Sequence, residues 1–251
     1  MKHLHPTIAG QLRNVGYNFS GTNAWDLMIP DTDTTAGSVD TDDDAEGTQA
    51  TIYTLHDYIS SNATAAEIKC LIMSFDTSTI TQIPLKATLT VYGHTNSVTG
   101  VNGHSTDGIL GLKTTGMAST TELTTSDWGD IDLSGAGPTL YTDTLTTWNI
   151  VDGGDGVNTF TLNSTALTDM FNNNTFQIVF THKFFYDHYD SNPPYAYGNN
   201  SPDGDDSHST TAGAYFLGTA AYKPILSYLE PPSMEIKSGN LTLNGGNLTI
   251  K

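Results

Sequence analysis

The chain has 251 residues, and its 9 Lys+Arg stand against 27 Asp+Glu, a formal net charge of -18. Such an acidic molecule repels polyanions, which excludes nucleic acid and anionic membrane surfaces as partners. Hydrophobic residues at 37%, with 10% aromatics, suffice for a packed core; charged residues are only 14%, so Thr, Ser, Asn, Asp and Gly carry the polar surface, a strand-and-turn composition.

Residues 1–20 read as a short N-terminal arm. Met1-Lys2-His3-Leu4-His5-Pro6 lacks the apolar stretch of a secretory signal, and Arg13, the single arginine, suits a tether to a neighbouring molecule. His3 and His5 are expected to be mobile. No stretch anywhere approaches the roughly 20 apolar residues of a membrane-spanning helix. A composition of extracellular type without a signal suits a protein assembled inside a cell and released by lysis.

Residues 21–230 show two-residue hydrophobic alternation in segment after segment, with turn residues between, as in a β-sandwich. Strands are predicted at 51–55 and 68–75. The run Ile68-Lys69-Cys70-Leu71-Ile72-Met73 makes the single cysteine, Cys70, a small buried hydrophobe and leaves no internal disulfide. In 85–92, Leu85, Ala87, Leu89 and Val91 share one face and Lys86, Thr88 and Thr90 the other, the mark of a half-buried strand. A helical turn is predicted over Ser164–Phe171 behind a Ser or Thr cap. Phe176–His182 is apolar almost throughout, which predicts a central strand; 214–217 and 224–229 supply two more. The polar segments Asp31–Gly47, Thr95–Ser105, Gly135–Pro138 and Asn192–Thr211 read as loops.

The prolines Pro231 and Pro232 cannot donate to a sheet ladder and end the sandwich. Residues 231–251 then carry a Gly-Asn-Leu-Thr-aliphatic unit twice, Gly239–Leu243 and Gly246–Ile250, seven residues apart. Each unit is one short strand that cannot bury its own aliphatics, so Leu241, Leu243, Leu248 and Ile250 are the expected oligomerisation residues, meeting identical chains or further repeats. These units resemble the β-repeats of trimeric phage fibre and spike stalks, and the chain stopping within the pattern suggests that the natural protein continues.

A second resemblance spans about residues 21–230. Trp25, Gln49-Ala50-Thr51-Ile52-Tyr53, Phe75-Asp76-Thr77-Ser78, Ala87–Tyr92, Leu123–Gly129, Thr146–Asn149, Phe160–Asn163, Phe176–Tyr189, Tyr215-Phe216-Leu217 and Lys223–Tyr228 follow the order of the DNRLRE-like jelly-roll domains, related to carbohydrate-binding modules and found in phage structural and bacterial surface proteins. Lys69 stands where that family usually has Arg, and the Asn192–Thr211 insertion is long and acidic. The resemblance implies an all-β jelly-roll sandwich followed by a C-terminal β-repeat; it argues architecture, since the fold hosts sugar binders and structural modules alike.

Chemistry is sparser. Reading a calcium loop from Asp31, glycine falls at Gly37 where position six is Ala36, and position twelve is Asp42 instead of Glu. No metal ligand set is therefore assigned; Asp31, Asp33, Asp42, Asp203 and Asp205 are the acids a calcium ion would use, the one cofactor the sequence admits. The eight histidines keep no metal spacing, and His182 reads as packed. No nucleophile elbow, phosphate loop or Cys/His pair is present, so no catalytic residue is assigned and no enzyme is expected. Tyr186, Asp187, His188, Tyr189, Tyr195 and Tyr197 form an aromatic and polar segment suited to sugars or a protein partner, although aromatics packing a loop against the sandwich would look alike. The expectation is a non-enzymatic, homotrimeric virion structural protein, fibre, spike or capsid-surface appendage, at the virion surface, with other virion proteins and a host-surface glycan as partners. The alternatives are a secreted, extracellular carbohydrate-binding module, calcium-dependent or not, and a subunit of an extracellular filament.

Overall fold

The computed structural model describes residues 1–18, 38–41, 49–60, 63–100, 108–114, 117, 123–131, 138–145, 147–150, 156–187, 208–215 and 222–232. They contain the strands β1 (Lys2–Leu4), β2 (Ile8–Asn18), β3 (Ser38–Thr41), β4 (Gln49–Ser60), β5 (Ala63–Asp76), β6 (Lys86–Gly100), β7 (Ile109–Lys113), β8 (Val157–Thr161), β9 (Thr175–His182), β10 (His208–Tyr215) and β11 (Ile225–Leu229). Two helices, α1 (Ser164–Asn172) and α2 (Lys183–Asp187), and a 3-10 turn at Thr125–Asp130 complete the described elements.

Among the described strands every pairing is antiparallel. One layer runs β1-β11-β6-β8 and the other β3-β2-β5-β9-β7. The strands β4 and β10 pair with each other and prolong the layers, β4 along Ala63–Lys69 of β5 and β10 along Tyr92–Gly100 of β6, so the layers join into one ladder at that end. After β5 the chain crosses repeatedly, to β6 in one layer, β7 in the other, back to β8, across to β9, and back to β10 and β11. This is an all-β sandwich.

Alternation explains the first layer. Ala87, Leu89 and Val91 of β6, Phe160 of β8, and Leu226 and Tyr228 of β11 point inward and meet Leu71, Met73 and Phe75 of β5 and Phe176, Ile178 and Phe180 of β9. The Phe160 and Phe180 rings touch across the layers with centroids 4.7 Å apart. Each fully buried aromatic of this kind is worth roughly 1.5–3 kcal/mol relative to exposure. Leu85, expected on the same face, lies just ahead of β6 and is 61% exposed.

The second layer is apolar on both faces because it is covered on both. Its outer face presents Ile8 and Leu12 of β2, Ile68, Cys70 and Ile72 of β5, Leu110 and Leu112 of β7 and Val179 of β9 to Met117, Leu123, Trp128 and Ile131. The 3-10 turn sits in this cover, with Asp127 buried and its carboxylate accepting from Thr124 N at 2.6 Å. Burial pushes the nearby Asp130 carboxyl up, helped by the charge of Asp127 and a hydrogen bond between the two.

Several expectations change here. The first eighteen residues are no separate arm: β1 pairs with β11, β2 runs beside β5 from Ile8 to Asn18, and Ala9 and Leu12 lie in the two cores. His3 and His5 are fixed, through Nδ1 to Ser227 Oγ at 2.8 Å and to the Pro224 carbonyl at 3.0 Å. Arg13 pairs with Glu67 within the sheet at 2.5 Å, where a tether had been expected. Of the predicted loop Thr95–Ser105, residues 95–100 continue β6 against β10. Likewise 208–211 belong to β10 and 38–41 to β3, since Thr- and Ser-rich segments extend strands as readily as loops when a partner is present. Leu4 and Tyr228 flank the exit, where Glu230 accepts from Thr81 N at 2.8 Å and pairs with Lys2, which holds the Glu230 carboxyl below its ordinary range.

Candidate functional site

The Phe75-Asp76-Thr77-Ser78 segment builds one rim of the sandwich. Phe75, next to last in β5, lies inside the core, and Asp76 Oδ1 accepts from Ser78 N at 3.0 Å and from its hydroxyl at 2.6 Å, which lowers the Asp76 pKa and closes the turn. Thr77, buried, then reaches the end of α1: its N–H donates to the Asn174 carbonyl at 2.9 Å and its hydroxyl to the Asn173 carbonyl at 2.7 Å. A helix end leaves carbonyls unmatched, and here the strand turn supplies their donors. The Asn172-Asn173-Asn174 run is thereby pinned between α1 and β9, with the Asn173 N–H also bonded to the Asp169 carbonyl at 3.1 Å.

Opposite stands the end of β7, crossed by residues 140–142. Gly111 permits that crossing, since a Cβ there would lie 2.7 Å from Ile178 Cδ1 and 3.0 Å from Thr142 Cγ2. The Tyr141 and Thr142 amides donate to the Gly111 carbonyl, and Thr142 Oγ1 accepts from Gly111 N at 2.8 Å. Tyr141 thus lands on Phe176, ring centroids 5.2 Å apart, with its hydroxyl donating to Asp169 Oδ2 at 2.6 Å. Lys113 Nζ meets the same carboxylate oxygen at 3.0 Å.

Between these walls lies a cleft of about 570 Å³, lined by Lys113 and Thr114, by Tyr141 at its floor, and by the segment 172–177. Its surface is mainly amide and hydroxyl. Gln177 Oε1 accepts from Met117 N at 3.1 Å. Thr114 is 5% exposed, and its hydroxyl has no hydrogen-bond partner among the described residues. Such a site can hold a polar ligand by converging hydrogen bonds.

Sequence reasoning missed this cleft. Its signal was the asparagine triplet following a predicted helix, but the opposite wall lies some sixty residues earlier and only the fold brings it near. Of the predicted binding segment, Tyr186 is half-buried in α2 and packs with Leu140 against the Trp128 core, and Asp187 pairs with Lys183 one helical turn away. His188, Tyr189, Tyr195 and Tyr197 lie outside the described residues, as do the calcium candidates Asp31, Asp33, Asp42, Asp203 and Asp205 and the oligomerisation residues Leu241, Leu243, Leu248 and Ile250. Among the described residues no three His, Cys, Asp or Glu converge as metal ligands would, and no helix is long and apolar enough to cross a membrane. His182 is buried in β9.

No family model and no curated protein sequence matches the chain. The class of the molecule therefore rests on its own architecture, an all-β sandwich whose second layer is covered on both faces.

Proposed function

We propose that the chain is a non-enzymatic virion structural protein, a fibre, spike or capsid-surface appendage that displays its sandwich for assembly and host attachment as a homotrimer. The Gly-Asn-Leu-Thr repeat at 239–250 carries this reading, because two such units cannot bury Leu241, Leu243, Leu248 and Ile250 without other copies. Support comes from the end of the sandwich that leads to it: beside Pro231 and Pro232, Leu229 is partly exposed, and Leu85, whose amide donates to the Leu229 carbonyl at 2.7 Å, is exposed with Ile83 nearby in sequence. Apolar side chains at that exit suit a junction where three copies meet.

The test is mass in solution. The full chain is expected at three times 26.9 kDa, and replacing Leu241 and Leu248 with Asp is expected to give a folded monomer. A stable wild-type monomer overturns the trimer. The rival class is a secreted carbohydrate-binding module, favoured by the polar cleft at the α1 end, and a gene neighbourhood of polysaccharide-degrading enzymes in place of capsid or tail genes would select it.

A further inference from the structure

We infer that the cleft between the end of α1 and the end of β7 binds a neutral, hydroxyl-rich ligand, one or two sugar units of a glycan chain, through hydrogen bonds without ring stacking. Its volume of about 570 Å³ falls inside the range of small-ligand sites. The lining fixes the chemistry. Asn172, Asn173 and Asn174 are exposed and make no side-chain hydrogen bond among the described residues, and each amide offers two donors and an acceptor, the pairing that sugar hydroxyls require. Gln177 spends its carbonyl on Met117 N and keeps its NH2 for a ligand.

Charge argues for a neutral ligand. Lys113, the one charged residue among the described lining residues, is already paired with Asp169, and the molecule as a whole, at -18, repels acidic sugars. The aromatics argue against stacking, because Tyr141 and Phe176 lie against each other with almost no exposed face. Thr114 also lines the cleft, and its hydroxyl, closed off from solvent and without a partner among the described residues, gains one if the side chain turns toward a ligand hydroxyl. Thr77 holds the asparagine run in place beforehand, so little ordering is needed when the ligand enters.

The cleft would serve a virion part or a secreted protein equally, so this test stands apart from the mass measurement. The purified full chain is applied to an array of neutral and sialylated oligosaccharides, and retained sugars are titrated against wild type, Thr114→Val, the double variant Asn172→Ala/Asn174→Ala, and Asp187→Ala. Neutral glycans are expected to be retained. Thr114→Val and the asparagine double variant should each weaken binding about tenfold, the effect of one stranded hydrogen bond, with Asp187→Ala unchanged. Thermal melting checks the fold of every variant, and the double variant changes only exposed side chains, so the test survives if Thr114→Val folds poorly. Retention of no neutral glycan, retention of sialylated glycans alone, or loss only in Asp187→Ala overturns the assignment.

Discussion

Cys70 shows how far one residue can be read. Its place in the apolar run 68–73 marks it as buried, and it is: the side chain is fully enclosed beneath the Trp128 cover, and burial pushes the thiol up to about 12, with a smaller opposing pull from the Thr181 hydroxyl. Thiolate is the reactive form, so the native protein should not react with an aromatic disulfide reagent at pH 8, whereas one thiol per chain should appear in denaturant. Reaction of the native protein at the rate of a free cysteine would refute that burial. The sequence could not say which core holds Cys70. A run apolar at every position has no period, and both faces of β5 proved to be covered. Leu85 fails in the opposite way: alternation names a face, but it does not say where a strand begins, and β6 begins at Lys86, one residue later.

At the scale of elements, α1 was legible from Ala166 and Met170, four residues apart and both buried. Its start at Ser164 matches the prediction, but the cap is not the expected Ser or Thr: Asn163, Ser164 and Thr165 are all good caps, and only the structure shows that Asn163 Oδ1 accepts from Ala166 N at 3.0 Å. Asn163 also donates through Nδ2 to the Leu140 carbonyl at 2.6 Å, and its backbone amide donates to the Tyr141 carbonyl at 2.9 Å. It therefore joins the helix start to the segment that crosses β7. Asn163→Ala should lower stability by about 1–2 kcal/mol in urea denaturation, the value of a lost cap with the Leu140 bond in addition. Asn163→Asp, which keeps the acceptor, should cost less; equal losses would mean that the cap itself contributes nothing. The strands carried by Thr, Ser and Gly at 95–100 and 208–211 were illegible, because their stability comes from pairing with each other across more than a hundred residues of chain.

At the scale of the molecule, composition and alternation were enough to give an all-β sandwich, since each strand records locally which of its faces is buried. They could not give the pairing. That β2, near the start of the chain, lies beside β5, and that β1 lies beside β11, depend on contacts between distant segments, which is why residues 1–20 read as an arm. The cleft was hidden for the same reason: its walls come from 113–114, 141 and 172–177, and none of these stretches announces the others.

The strand β5 stands between the inter-sheet core and the Trp128 core, lending Leu71, Met73 and Phe75 to one and Ile68, Cys70 and Ile72 to the other. A party wall of this kind binds the fates of the rooms on either side: heat that loosens one must breach the same backbone that encloses its neighbour. The protein should accordingly melt as a single cooperative unit, with calorimetric and van't Hoff enthalpies in agreement for whatever assembly state is measured, and a separate early transition reported by Trp128 fluorescence in a Trp25→Phe/Trp148→Phe background would show that the two interiors are independent.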